Sequence, residues 1–279
     1  MATKKAGSTA KKTIRSKSQP AKTTVTTVKA SETRPETAKS STVSRRLGGD
    51  RRTVLAAALI GEFIGTFLLA SAYLVTKGEP LYMGFVLVAL VLTVGTLSGA
   101  YLNPMLTVGG WVTRKLGHLR AVSYIVAQLL GAGAAYVVLS AFTNGYHVEG
   151  STAAALSQQT LDVFKVAALT DNNHWYVFFA ELLGSSIFAF AVAGVVRNKS
   201  ADRTAKALQV GLGLFVGALI AGVAASYASA NVVLNPAIAL SATAVDWTKI
   251  DWFAAAAYLV APLIGGIIGF ALRDVVETE

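Results

Sequence analysis

Hydrophobic residues are arranged in six long runs that short polar segments separate. The runs cover residues 53–76, 82–97, 119–141, 175–196, 207–226 and 252–272. A transmembrane helix needs about 20 mostly apolar residues, so the pattern predicts an all-α membrane protein with six spanning helices. Two further apolar stretches, 104–113 and 236–245, are too short to cross a bilayer, and each begins at an Asn-Pro pair.

Composition divides the chain into a basic tail and a membrane domain. Hydrophobic residues make up 53% of the chain and charged residues only 14%, against about 25% in ordinary soluble domains. Residues 1–52 contain fourteen Lys and Arg against three acidic residues. They carry almost no large apolar side chains, which predicts a disordered segment. The predicted organisation is a disordered tail 1–52, a membrane domain 53–273 and a short C-terminal tail 274–279.

Basic residues in the short loops predict the orientation of the chain, because Lys and Arg are retained on the cytoplasmic side. They alternate between sides as six spans require, which predicts a multi-pass protein of the cell membrane with both termini cytoplasmic. The basic tail is expected to contact anionic lipid. It lacks the aromatic residues that stack on bases, so nucleic-acid binding is not expected.

An internal repeat runs through the membrane domain. The segment GEFIGTFLLA at 61–70 is echoed by AELLGSSIFA at 180–189, which aligns Glu62 with Glu181. Each copy is followed by a second span, a loop with Asn-Pro and a third span. Because three spans are an odd number, the second copy must be inverted relative to the first. The repeats are predicted at 53–141 and 174–273.

The two Asn-Pro pairs are predicted to start helices inside the membrane. Asn is a good N-cap, and Pro suits the first helical position because no N–H partner is needed there. The positive dipole ends of two such half-helices would meet at the midplane and repel cations. The side-chain amides of Asn103 and Asn235 would then donate hydrogen bonds into a water-filled lumen.

These features resemble the aquaporin or major intrinsic protein family in the order Glu62, SGAYLNPM, Glu181, NVVLNPAI. The resemblance implies an aquaporin-like fold, with six transmembrane helices and two re-entrant half-helices. It also implies a passive channel for water or small uncharged solutes, and a homotetramer with one pore in each subunit. The expected midplane residues are Asn103, Pro104, Met105, Asn235, Pro236 and Ala237.

The two intramembrane glutamates admit two interpretations. A carboxylate inside a membrane is by default a functional group such as a proton relay. The resemblance instead implies that Glu62 and Glu181 accept hydrogen bonds from the loops that carry the half-helices. Tyr101, which stands where the family commonly has His, is expected to affect the packing of the first loop or cytoplasmic access.

The sequence departs from the family pattern beside both asparagines. Met105 replaces the usual Ala and is expected to enlarge the side chain at the midplane. Ile238 stands where Arg is usual, and the filter carried over by position is Met83, Val232, Ile238 and either Val223 or Ala218. This apolar filter predicts passage of small uncharged or weakly polar solutes, with water slower. Alternatively, backbone carbonyls restore ordinary water permeation.

Other classes of function find little support in the residues. The chain shows no nucleophile paired with a base, no paired catalytic carboxylates and no metal-ligand spacing, so neither an enzyme nor a metal or cofactor site is predicted. The remaining alternative is a non-conducting or gated protein of the same fold with a structural role.

Overall fold

The computed structural model describes residues 51–144, 163–169, 174–198, 200–245 and 251–277. Nearly all of the tail predicted at 1–52 lies outside these residues, as does most of the loop between the two repeats. Within the described ranges all regular structure is helical. The all-α fold class predicted from the hydrophobic runs is confirmed.

The helices follow the six runs and the two short stretches. Five of the described helices are long and apolar enough to cross a membrane, the last being the continuous run from Trp252 to Val276. This run contains a π-helical turn, Ala256–Val260. The α-helices are α1 (Arg51–Thr76), α2 (Pro80–Thr93), α3 (Gly95–Ser98), α4 (Pro104–Val112), α5 (His118–Asn144), α6 (His174–Arg197), α7 (Arg203–Ser226), α8 (Pro236–Ser241), α9 (Trp252–Ala255) and α10 (Ala261–Val276).

The second predicted span is a helix in two pieces. Helix α2 has 14 residues, and Val94 keeps right-handed helical angles between it and α3. At 1.5 Å per residue, the run from Pro80 to Ser98 extends about 28 Å, close to the thickness of the hydrocarbon core. The second run therefore also reaches across a bilayer.

Small residues let the helices of each repeat pack closely. A Cβ on Gly131 of α5 would overlap the carbonyl of Phe63 in α1, and one on Gly265 of α10 would overlap the carbonyl of Leu182 in α6. Phe63 and Leu182 are the residues that follow the two repeat glutamates. Close approach through glycine is typical of membrane helix interfaces. The first and third spans of the two repeats therefore cross at matching positions.

Part of the connection between the repeats covers the second half-helix. In the described segment 163–169, the Val166 N–H donates to the Ala242 carbonyl at the end of α8 (2.9 Å). The Ala167 N–H donates to the side chain of Asn231 (3.0 Å). This segment is thereby tied to the end of α8 and to the loop that precedes the second Asn-Pro pair.

Candidate functional site

The two short helices begin at the Asn-Pro pairs. Asn103 is the N-cap of α4, and its side-chain oxygen accepts from the Met105 N–H at 2.9 Å. Asn235 is the N-cap of α8 and accepts from the Ala237 N–H at 3.0 Å. Both asparagines have extended backbone angles, and Pro104 and Pro236 occupy the first helical positions. Each half-helix thus starts deep inside the protein with its first N–H groups capped.

Each asparagine also bonds to the loop of the other repeat. Asn103 Nδ2 donates to the Leu234 carbonyl at 2.8 Å, and Asn235 Nδ2 donates to the Leu102 carbonyl at 3.0 Å. A carboxamide nitrogen has two hydrogens, so one remains on each asparagine. These crossed bonds hold the two half-helix starts together, and the sequence does not predict them.

The two glutamates hold the loops that precede the asparagines. Glu62 accepts from the N–H groups of Tyr101 (3.0 Å) and Leu102 (2.7 Å). Glu181 accepts from those of Val233 (2.5 Å) and Leu234 (2.9 Å). Both carboxylates are fully buried. In each repeat, therefore, one carboxylate binds the two backbone N–H groups immediately before Asn.

The residues before the asparagines have left-handed backbone angles. Leu102 has a φ of 50° and Leu234 a φ of 54°, a region that bulky residues rarely adopt. Such a conformation costs on the order of 1–3 kcal/mol and persists only where the surroundings fix it. Both N–H groups are bound by the glutamates and both carbonyls by the opposite asparagines, so each strained residue is held at both of its peptide groups.

Several further polar residues, which are not among the predicted site residues, support these loops. Gln128 Nε2 donates to Glu62 (2.6 Å) and to Thr107 Oγ1 (2.9 Å). The hydroxyl of Tyr124 donates to the Ser98 carbonyl (2.7 Å), and that of Tyr258 donates to the Asn231 carbonyl (3.1 Å). Tyr124 and Gln128 are four residues apart in an apolar span, and polar residues inside a span are a signal that could have revealed them.

A narrow cavity, called here the central cavity, lies between the two repeats. The cavity has a volume of about 20 Å³, which leaves room for roughly one or two water molecules. Both asparagines line it, and most of the other walls are apolar. The lining residues are Leu69, Tyr73, Gly78, Met83, Leu87, Tyr101, Asn103, Phe188, Leu214, Ala218, Val232, Val233, Leu234, Asn235 and Ile238.

The two candidates for the fourth filter position, Ala218 and Val223, have different surroundings. Ala218 lines the central cavity together with Met83, Val232 and Ile238. Val223 is 57% exposed on the outer surface, so its assignment to the filter is corrected. Five residues on a helix with 3.6 residues per turn place it on a different face from Ala218. The extra residues of the second repeat lie after α7, in the loop that leads to Asn235.

Met105 lies two residues after Asn103, but its side chain does not line the central cavity. Its side chain is completely buried and packs against Gly266 of α10. A Cβ at Gly266 would lie 2.5 Å from the Met105 carbonyl and 2.8 Å from its Cγ. The larger residue of the first motif is therefore accommodated by a glycine in the last span. Pro104, Pro236 and Ala237 are likewise buried outside the cavity lining.

Tyr73, which is not among the predicted site residues, places a hydroxyl group beside Val232 of the predicted filter. Its hydroxyl donates to the Val232 carbonyl at 2.8 Å, and its ring contacts Phe164 of the segment between the repeats, with 6.1 Å between centroids. One acceptor position of a filter carbonyl is therefore already occupied. A tyrosine within an otherwise apolar first span was the available signal.

Tyr101 lies at one end of the central cavity. It lines this cavity and also a wider depression on the side at which α7 begins. Its ring packs edge-on against Tyr124, with centroids 6.0 Å apart, while its N–H is bound by Glu62. The ring thus stands between the narrow lumen and the surface.

Metal chemistry finds no support in the part of the chain that the structure describes. Those residues contain no group of three His, Asp or Glu side chains arranged to hold an ion. His118 accepts a hydrogen bond from Trp111 Nε1 at 2.6 Å.

The chain is similar to membrane channel proteins of known families. A profile of the family described as major intrinsic protein matches residues 51–272. Aquaporin NIP3-1 of Arabidopsis thaliana is 27% identical over 226 residues, which are 76% of this chain and 64% of that protein. Aquaporin-B of Dictyostelium discoideum is 30% identical over 175 residues, 58% of this chain and 56% of that protein. The chain thus spans less than two thirds of the length of these two relatives.

A solved structure has the same fold. The aquaglyceroporin from Plasmodium falciparum superposes with a TM-score of 0.58, covering 80% of this chain and 96% of that one. The two sequences are 22% identical, so the likeness concerns the fold. It agrees with the inverted repeat and the paired half-helices described above.

Proposed function

Because the chain belongs to the major intrinsic protein family, whose members are membrane channels and not enzymes, we propose that it is a passive channel for water and small uncharged solutes with an apolar filter. The observation that carries the proposal is the central cavity. Both asparagines line it together with Met83, Ala218 and Ile238. Two capped helix starts and a ring of apolar side chains therefore border a single passage.

The chemistry of this passage determines which solutes it favours. Among the residues that the structure describes, no charged side chain lines the central cavity, and the hydroxyl of Tyr73 donates to the Val232 carbonyl. A water molecule that enters loses bulk partners and finds few replacements, and narrow apolar constrictions tend to dewet. A weakly polar solute of similar size, such as ammonia, loses less. We therefore expect ammonia to pass more readily than water, and glycerol to pass poorly.

Cations should be excluded at the midplane. The N-termini of α4 and α8 each carry roughly half a positive charge, and the crossed bonds keep both ends at the same point. The remaining amide hydrogen of each asparagine can donate to a passing solute. These features favour neutral solutes over Na⁺ and over proton transfer along a water chain.

Reconstitution into liposomes tests the proposed function. Stopped-flow light scattering would measure the permeability to water, ammonia, hydrogen peroxide, urea and glycerol against protein-free liposomes. Facilitated flux of small neutral solutes is the expected result. Fast water flux with every other solute excluded would refute the apolar filter, and no facilitated flux of any solute would refute the channel itself.

The small volume of the central cavity favours a second candidate, a gated or non-conducting protein with a structural role. A lumen of about 20 Å³ leaves room for roughly one or two waters. The same liposome measurement separates the two candidates, because a closed pore would give baseline flux for all five solutes.

The assembly and placement of the protein are part of the proposal. We expect a homotetramer in the cell membrane, with one pore in each subunit and both termini in the cytoplasm. The basic segment 1–52 would contact anionic lipid at that face, each basic residue contributing about 1 kcal/mol near the surface. Removal of residues 1–45 should then leave solute flux unchanged and weaken binding to anionic vesicles.

A further inference from the structure

A second cavity, called here the vestibule, opens at the side of the membrane at which α7 begins. Its volume is about 440 Å³, within the range of about 300–1,000 Å³ typical of small-molecule sites. Its walls include five valine side chains from α2, α6 and α7, together with Tyr101 and with residues of α3 and the loop after it. The valines are Val91, Val192, Val195, Val196 and Val210.

Two cations border this apolar cup. Arg203 and Lys206 both line the vestibule, and because they are three residues apart on α7 they project from the same face of the helix. The Arg203 guanidinium is fixed by a hydrogen bond from Nη2 to the Leu92 carbonyl at 3.0 Å. An apolar cup with a few convergent polar groups is the usual form of a ligand site.

The local charge indicates a ligand with a single negative charge. Asp202 caps α7 and accepts from the N–H groups of Thr204 and Ala205. These backbone N–H groups, that of Ala205 foremost, hold the pKa of Asp202 below its usual value, so it stays ionised at neutral pH. The charged side chains that line the vestibule, Arg203 and Lys206, are both basic and favour an anionic ligand, while the ionised Asp202 beside them disfavours one with more than a single negative charge.

The vestibule and the central cavity share one lining residue. Tyr101 lines both the vestibule and the central cavity. A molecule seated against the valines would therefore lie beside Tyr101, at which the narrow lumen also ends. A ligand of this site would block solute flux from one side of the membrane.

We propose that the vestibule binds a small amphiphilic monocarboxylate from the cytoplasm, with its apolar chain among the valines and its carboxylate between Arg203 and Lys206, and that this ligand closes the pore. The blocking effect rests on the proposed function, whereas the binding does not. The protein's own tail is a poor occupant, because its fourteen basic residues would be repelled by the two cations.

The test uses pentanoate and its neutral isostere pentanamide on the purified full-length protein. Binding is measured by calorimetric titration and flux by stopped flow in phosphatidylcholine liposomes. The variants are Arg203→Gln with Lys206→Gln, and Lys206→Gln alone in case the double change disturbs folding. The matched control is Lys77→Gln with Lys165→Gln, which removes two lysines from an apolar groove on the opposite face.

Loss of a charge-assisted hydrogen bond should weaken pentanoate binding about tenfold or more in both vestibule variants. The control variant should bind pentanoate normally, pentanamide should bind more weakly, and pentanoate should reduce flux only in proteins that bind it. Equal affinity of the wild type and the vestibule variants for pentanoate would overturn the inference, as would equal affinity of the wild type for pentanamide.

Further results separate failure of the proposed channel from failure of the proposed site, and a soluble ligand from a lipid headgroup. Binding without any measurable flux would refute the proposed channel while supporting the site, and flux without binding would refute the site alone. If phosphatidylglycerol in the liposomes abolished pentanoate binding, the site would belong to lipid headgroups and the inference of a soluble carboxylate would be overturned.

Discussion

Replacing Glu181 by Gln tests how the second half-helix is held in place. The two carboxylate oxygens accept from the N–H groups of Val233 and Leu234, and no other side chain in the described part of the chain accepts from these two N–H groups. Gln keeps the size of Glu but has one accepting oxygen and one NH₂ group. One of the two backbone N–H groups would then face a donor in a fully buried site.

The expected decrease in the free energy of unfolding follows from the loss of this hydrogen bond. A hydrogen bond to a charged group contributes roughly 1.5–3 kcal/mol, and one such bond is removed while the other is weakened. Leu234, at a φ of 54°, also loses part of the contact that fixes its left-handed conformation. We expect Glu181→Gln to lower the free energy of unfolding by roughly 2–3 kcal/mol. For a domain of this size that corresponds to a fall of roughly 4–12 °C in Tm.

Thermal unfolding of the purified protein in detergent measures this change, and Glu79→Gln is the matched control. Glu79 precedes α2, is exposed, and its side chain makes no capping hydrogen bond, so its replacement should change stability by less than about 0.5 kcal/mol. An unchanged Tm for Glu181→Gln would refute the supporting role. Proton flux in wild-type liposomes that Glu181→Gln abolishes would instead establish the proton relay.

Three further predictions follow from the packing. Ala218→Trp should abolish solute flux in liposomes, because residue 218 lines the central cavity, whereas the matched Val223→Trp on the outer surface should leave flux intact; equal effects would refute the assignment. Gly266→Ala should destabilise the protein, because its Cβ would lie 2.5 Å from the Met105 carbonyl, and overpacking typically costs about 1–3 kcal/mol; an unchanged Tm would contradict this. Asp274→Asn removes two partly exposed ion pairs and should lower the free energy of unfolding by at most about 1 kcal/mol at low salt. The decrease should disappear when unfolding is measured at high salt, and a decrease that does not depend on salt would contradict this prediction.

The parts of the fold that the sequence predicts are those encoded locally. The apolar runs, the Asn-Pro helix starts and the repeated glutamates each depend on residues close together in the chain. Asn and Pro at the N-cap and first helical positions act through their own backbone and side chains. The ends of the half-helices could therefore be located to within a few residues.

The parts that the sequence does not predict depend on contacts between distant residues. The crossed asparagine bonds join residues 131 and 133 positions apart, and the bond from Tyr73 to Val232 spans 159. The place of the Met105 side chain depends on Gly266, which lies in another span. The fourth filter position depends on whether the extra residues lie in α7 or after it, which the spacing alone left open.

The most direct test of the account compares the ammonia and water permeability of wild-type protein with those of Ile238→Asn in proteoliposomes. Ile238 lines the central cavity and is 1% exposed, so Asn there would add hydrogen-bonding groups to the filter with little change in size. Val223→Asn, on the outer surface, is the control. The account predicts facilitated flux of both solutes, with an ammonia-to-water ratio that falls in Ile238→Asn and is unchanged in the control. Equal ratios in all three proteins, or no facilitated flux in the wild type, would contradict it.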